Sequence, residues 1–318
     1  MRPGTRAAES ERALAAAPSA RAAPRRRWRP RGDELAGYLF LLPAVGLTLA
    51  FVVWPIVQSF RLSFYEWNGY ADPLFVGTRN FAAIARGGSY RDALAHNLIF
   101  MVGYTFFEVA IGFVLAALLN TRVRGVVLFR TIFFLPVVIP TAVAALLWGM
   151  VLSPQLDPFS AFFEAVGLPL LAHPWLGDSD TALYAVTAIA VWKNVGVSMI
   201  VYLAAMQDIP TELLEAASID GAGVVRRLQH VVFPLLRPIT VVLVVLSVIF
   251  SMRTFDIVWA LTRGQAREAL EMVSTLIVRT AFDYHEFGVA SALAVVLFVI
   301  ILAMAIAQVG LMERGAER

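Results

Sequence analysis

The stretch "LLEAASIDGAG" (residues 213–223) breaks an otherwise oily chain with two acidic residues, small alanines and two glycines. It lies between apolar runs at about residues 182–206 and 236–262, each long enough to cross a bilayer as helix, which takes ~20 residues. A segment this polar cannot lie in hydrocarbon, so it is read as an extramembrane loop joining two membrane helices. Working outward, hydrophobic residues make up 59% of the 318 and charged residues 15%. Soluble domains hold roughly 45–50% and about 25%. The chain reads as an all-α polytopic membrane protein.

Six spans are predicted, at about residues 35–60, 94–119, 126–152, 182–206, 236–262 and 288–311. Arginine placement sets their direction, since short cytoplasmic loops collect positive charge. With both termini inside, seventeen arginines fall on the cytoplasmic side and eight, including Arg253, Arg263 and Arg279, on or near the outer side. Residues 153–181 carry no basic residue. Six helices with N- and C-termini in the cytoplasm fit best, which puts the 213–223 stretch in the cytoplasm, away from any external solute. Residues 1–34 are Arg-, Ala- and Pro-rich and are read as a disordered cytoplasmic tail. Its arginines serve as a topology anchor, a simpler reading than nucleic-acid binding, and no nucleic-acid partner is expected. Residues 35–318 are read as one six-helix transmembrane domain.

Several chemistries are excluded by composition. There is no cysteine, hence no disulfide framework or thiolate metal site. All but one of the 26 basic residues are arginine, and the single lysine, Lys193, lies within an apolar run. A phosphate-binding G-x-x-x-x-G-K-[ST] loop therefore cannot be built here. If ATP drives this protein, the ATPase is a separate chain, and this chain is not an enzyme. The four histidines are scattered without metal-ligand spacing, so no metal and no resident cofactor are expected.

The loop from residue 207 to 237 is patterned. Pro210 suits the first turn of a helix, where its missing N–H has no partner to lose. Glu212 and Glu215 place negative charge at the positive end of the helix dipole. Ala216 and Ala217 favour helix with little bulk, and Gly221 can stop it in the left-handed conformation. Pro210 to Asp220 thus reads as one short helix, and Val224 to Val232 as a second that ends at Pro234. Two readings compete: a lipid-surface connector, or a small-faced docking helix that lies in another protein's groove.

Spacing favours the second. Glu215-Ala216-Ala217, three residues, Gly221, nine residues, Val231, one residue, Phe233-Pro234 resembles the EAA loop of binding-protein-dependent ABC importer permeases, E-A-A-x3-G-x9-I-x-L-P. Val231 stands for Ile and Phe233 for Leu. The likeness continues in "FLPVVIPTAVAALLWGM" (134–150), "WLGD" (175–178), "VWKN" (191–194), "FPLLRP" (233–238) and "FDIVWALTRG" (255–264). Together they are similar to the sugar-transporting branch, the maltose and glycerol-phosphate permeases. One departure stands out: that branch often has Gly-Gly-Pro where this chain has Arg263-Gly264-Gln265.

The resemblance implies a type I importer fold and an ATP-driven carrier of a sugar or small oligosaccharide in a bacterial cytoplasmic membrane. It implies separate ATPase subunits, a second permease subunit and an extracytoplasmic solute-binding protein as partners, besides the lipid bilayer. The ATPase-coupling residues would be Glu215, Ala216, Ala217, Asp220, Gly221 and Pro234. The substrate cavity would be lined by Lys193, Asn194 and Val197 on the fourth span and by Ser247, Phe250 and Thr254 on the fifth.

Ionisable residues at membrane depth are functional candidates by default. Glu108, Lys193 and the Arg253/Asp256 pair qualify, each with a plainer reading as structural ion pair, snorkelling cation or local counter-ion. An arginine at 253 hints at an anionic or modified sugar. Two rivals remain: a secondary transporter using Glu108 or Asp256 as proton carrier, and a membrane-embedded enzyme. Both leave the patterned loop unexplained. A polyamine, phosphate or amino-acid cargo also fits the importer class.

Overall fold

Hydrocarbon holds no water to satisfy backbone N–H and C=O groups, so an apolar run must close its hydrogen bonds internally, as a helix. The computed structural model describes residues 30–120, 125–153, 158–169, 172–264 and 268–316. The chain divides into two units, residues 1–56 and 57–318.

In the first unit α1 (Pro30–Thr48) continues through a wide turn at Leu49–Val53. Residues 37–56 are all exposed within the chain. The helix takes in the last residues of the segment expected to be a tail; residues 1–29 lie outside the described residues.

The second unit opens with the end of α2 (Trp54–Leu62) and a two-stranded antiparallel hairpin, Tyr65–Glu66 with Leu74–Phe75, in the register Tyr65 opposite Phe75. A short α3 (Arg79–Arg86) leads into the long α4 (Gly88–Leu119). Then come α5 (Val126–Val138), α6 (Thr141–Val151), α7 (Pro158–Ala165) and α8 (Ser179–Gln207). The polar loop holds α9 (Thr211–Ile219) and α10 (Val224–Arg227). After it follow α11 (Phe233–Leu235), α12 (Arg237–Met252), α13 (Asp256–Thr262), α14 (Val273–Phe282) and α15 (Phe287–Ala316).

Among the described residues five helices are long and apolar enough to cross a membrane, and a sixth span exists if one bent pair counts as one. That pair corrects the third predicted span: α5 and α6 meet at 98°. Pro140 is the cause. It has no N–H to donate and pushes the preceding residue out of helical geometry, so Ile139 sits at φ −66°, ψ 129°.

The fifth span is interrupted too, at Arg253–Phe255 between α12 and α13. The Ser251 and Thr254 hydroxyls donate back to Val248 O (2.8 Å) and Phe250 O (3.2 Å), which bends a helix. Asn97 of α4 compensates. Its amide donates to Ser251 O and Met252 O at 3.4 and 3.5 Å, while its Oδ1 accepts from the Val273 N–H at 2.8 Å.

Helix α8 is the centre of the second unit, with 61% of its most apolar window buried against 28% for α4. Lipid supplies no hydrophobic drive between helices, so association rests on close packing and small residues. Gly112 of α4 fits against Ser198, where an added Cβ would lie 2.6 Å from the serine Cβ. Gly196 of α8 fits against α5, where a Cβ would lie 2.6 Å from the Phe133 carbonyl oxygen. Two apolar clusters stack along this axis. One holds Phe100, Tyr104, Val186, Val258 and Met272; the other Val109, Tyr202, Leu203, Val232 and Leu236.

Two tests follow from this packing. Gly196→Val drives a branched side chain into the α5 backbone, and overpacking of this kind costs about 1–3 kcal/mol. It should lower the unfolding midpoint of the detergent-solubilised chain, whereas Gly310→Val, with nothing within 4 Å, should not. The second concerns Asp178, which caps α8. It accepts from the Asp180 N–H at 3.0 Å and lies 3.0 Å from His173 Nε2, and these contacts hold its carboxyl below the usual range. A depressed carboxylate stabilises the fold above its unfolded pKa of about 4 and loses that contribution as pH falls through the folded value. Asp178→Ala should therefore lower the melting temperature at pH 7, by a margin that shrinks below about pH 4.

Candidate functional site

The loop after α8 is built much as its residues dictate. Helix α9 starts one residue later than expected: Pro210 is its N-cap, at φ −55°, ψ 128°, and Thr211 its first helical residue. The helix ends at Ile219, with Asp220 as C-cap and Gly221 at φ +78°. The Gly221 N–H donates to Ser218 O (3.1 Å) and the Ala222 N–H to Ala217 O (2.9 Å). That is a Schellman closure, which needs the left-handed residue that glycine supplies. No residue of α9 is buried within the chain, and Glu215, Ala216 and Asp220 are exposed. Ile219 is 86% exposed, and Val224 and Val225 are exposed beside it. Arg227 donates to the Ser218 hydroxyl at 2.7 Å, bracing α9 against α10.

The second half of the loop differs from expectation. No helix ends at Pro234. Instead α10 widens at Leu228–Val232, where the Phe233 N–H donates to Leu228 O five residues back, and the chain turns on through Pro234 into α11. A proline ring clashes with the carbonyl four residues before it, and a widened turn relieves that clash. This segment is anchored to the membrane helices. Val232 and Leu236 are buried, and the Phe113 ring packs edge-on against both Phe233 (5.6 Å) and Tyr202 (5.5 Å).

Higher up, a cavity of about 330 Å³ opens between α8 and the break in the fifth span. Four of the six residues assigned above to a substrate cavity lie on its wall: Lys193, Asn194, Phe250 and Thr254. Thr141, Arg253, Phe255 and Asp256 join them. Val197 and Ser247 do not. Val197, one turn on from Lys193 along α8, is 41% exposed and lies off the cavity wall. Ser247 is turned inward to Glu108, donating to its carboxylate at 2.6 Å, and Ser198 donates to the other oxygen. Glu108 is thus a buried junction of α4, α8 and α12, satisfied by two hydroxyls rather than by a cation.

Lys193 is buried and does not snorkel; its ammonium donates to Val137 O at 3.4 Å. Arg253 and Asp256 are three apart, but the helix break lies between them and they form no ion pair. Phe250 packs on Tyr104 (5.3 Å), itself stacked on Phe100 (5.6 Å), so its ring is backed by an aromatic ladder. Sequence reasoning passed over Tyr104, Thr141, Phe255 and Asn97. Asn97 carried a signal: a lone amide within an apolar run needs partners. No group of three or more potential metal ligands occurs among the described residues.

Known proteins share this chain's sequence and fold. Residues 108–314 match the family model described as "Binding-protein-dependent transport system inner membrane component". The chain is 33% identical over 288 residues to the probable ABC transporter permease protein YurN of Bacillus subtilis, covering 90% of this chain and 98% of that protein. It is 32% identical over 287 residues to the sn-glycerol-3-phosphate transport system permease protein UgpA of Agrobacterium fabrum, covering 89% and 96%. A crystal structure described as a bacterial ABC transporter involved in the import of the acidic polysaccharide alginate superposes with a TM-score of 0.80. It covers 90% of this chain and 98% of that one at 22% identity, a likeness of fold. The chain belongs to the binding-protein-dependent transport system inner membrane components, the permeases of ABC importers.

The cavity's shape depends on the break that Asn97 holds. Asn97→Leu keeps the branched shape but strands the buried Val273 N–H, and an unmet buried donor costs about 1–3 kcal/mol. The variant should unfold at lower denaturant than the wild-type chain.

Proposed function

We propose that this chain is one transmembrane subunit of an ATP-driven importer that carries a sugar or small oligosaccharide, coupled to a separate ATPase through residues 207–237. The observation that carries this reading is α9: a stiffly capped helix with no buried residue, presenting Glu215, Ala216 and the apolar Ile219 outward. Exposed apolar residues on a short, well-ordered helix mark a protein contact. Ala216 and Ala217 permit close approach of a groove wall, and Glu215 offers charge to a basic partner. The buried Val232 and Leu236 and the Phe113–Phe233 contact tie the loop to α4 and α8, so a push on α9 reaches the helices beside the cavity. ATP-driven closure of two ATPase subunits then swings the bundle between inward- and outward-facing states, with no covalent chemistry in this chain.

Relatives support the carbohydrate reading. Besides the glycerol-phosphate permease, they include the trehalose/maltose permease protein MalF of Thermococcus litoralis, 30% identical over 274 residues, which cover 85% of this chain and 91% of that protein. Solute delivery by an extracytoplasmic binding protein and pairing with a second permease subunit complete the assembly, with both termini in the cytoplasm.

The double variant Glu215→Lys/Gly221→Pro should insert normally into the membrane and abolish substrate-stimulated ATP hydrolysis in the purified assembly. Hydrolysis at the wild-type rate would remove α9 as the coupling element.

A further inference from the structure

The cavity between α8 and the broken fifth span has an unusual charge arrangement. Its wall carries two cations, Lys193 and Arg253, and one carboxylate, Asp256. None of the three is in an ion pair among the described residues. Lys193 is the sharper case. It is 7% exposed, mid-helix in a membrane span, and its one hydrogen bond among the described residues is the long 3.4 Å contact to Val137 O. A buried ammonium without a counter-ion is strongly unfavourable. Neither neighbouring carboxylate relieves it: Asp256, on the same wall, forms no ion pair with it, and both oxygens of Glu108 on α4 are taken by Ser198 and Ser247. Arg253 sits at the end of α12, exposed toward the same cavity, and the helix break keeps Asp256 from neutralising it.

We infer that the cargo of this cavity is anionic: a saccharide bearing a carboxylate or phosphate ester, held between Lys193 and Arg253. This rests on the saccharide-import reading and narrows it. The cargo's anion supplies the counter-charge that Lys193 lacks, and Arg253 offers the planar fork that pairs carboxylate or phosphate oxygens two at a time. Asp256 and Asn194 are left to hydroxyls, and the Phe250 ring, backed by Tyr104, faces the apolar side of a sugar ring. A lining with a surplus of one positive charge thus favours a singly charged sugar over its neutral parent.

The experiment uses the whole assembly purified through this chain, in detergent. Thermal stabilisation is titrated with matched series: galactose, galacturonate and galactose 6-phosphate; glucose, glucuronate and glucose 6-phosphate; and the corresponding disaccharides. In at least one series an acidic member should half-saturate at roughly tenfold or more lower concentration than its neutral parent, the usual scale for a charge-assisted contact. Lys193→Gln and Arg253→Gln should each erase most of that preference. Arg253 is exposed, so its variant reports even where the Lys193 variant does not fold. The uronate and phosphate arms separate the two sources of charge. Neutral parents binding as tightly as every acidic member, or a preference that survives both substitutions because a partner subunit supplies the charges, overturns the inference and leaves the saccharide reading standing. Silence from every saccharide overturns the saccharide reading itself.

Discussion

Everything in the second unit depends on how closely α8 can approach its neighbours. In lipid, side chains gain nothing by leaving hydrocarbon for one another, so helices associate where backbones come near enough for dense packing and shared polar groups. Gly112 against Ser198 and Gly196 against the Phe133 backbone provide that proximity on two sides of α8. The proximity then allows one carboxylate, Glu108, to accept hydroxyls from both α8 and α12. Steric smallness and polar satisfaction are therefore one constraint: a Cβ at Gly112 would separate the helices whose hydroxyls Glu108 requires.

Against that packed centre, the breaks in the helices stand out. Irregular backbone at membrane depth is tolerated where it is buried in protein or lines a cavity. The Arg253–Phe255 interruption satisfies both conditions, with Asn97 taking up the freed carbonyls on one side and the cavity wall forming on the other. The 98° turn at Ile139–Pro140 delivers Thr141 to the same wall. Two disruptions of regular helix thus converge on one space, which a bundle of unbroken helices would have filled with side chains.

How much of this was legible in the sequence follows from the range over which each feature is determined. The loop was legible because its determinants are local: Gly221 closes α9 through bonds to Ser218 and Ala217, residues within five positions. The spans were legible from apolar length alone. The two corrections in helix geometry came from prolines whose local meaning was read too simply. Pro140 bent a run long enough to be one span, and Pro234 widened a helix it was expected to end. The cavity was only half legible because helical periodicity places residues on a face without saying which neighbour that face meets. Lys193, Asn194, Phe250 and Thr254 met the open space, while Ser247, on the same face as Phe250 by spacing, met Glu108, 139 positions away in sequence.

The two ends of the permease are joined by the same helices. The loop is fastened through Val232, Leu236 and Phe233 to α4 and α8; α8 carries Lys193 at the cavity, and Tyr104 of α4 backs Phe250 on its wall. Stiffness is present at each link: the Schellman closure and the Arg227–Ser218 contact in the loop, the Phe113 ring between loop and spans, and the Glu108 junction at mid-helix. A soft loop would absorb a push in its own backbone. A capped and braced one transmits it to α8, and because α8 packs so closely on α4 and α5, it cannot shift alone. Movement at the loop would then be shared by the helices packed on α8, as the coupling proposed above requires.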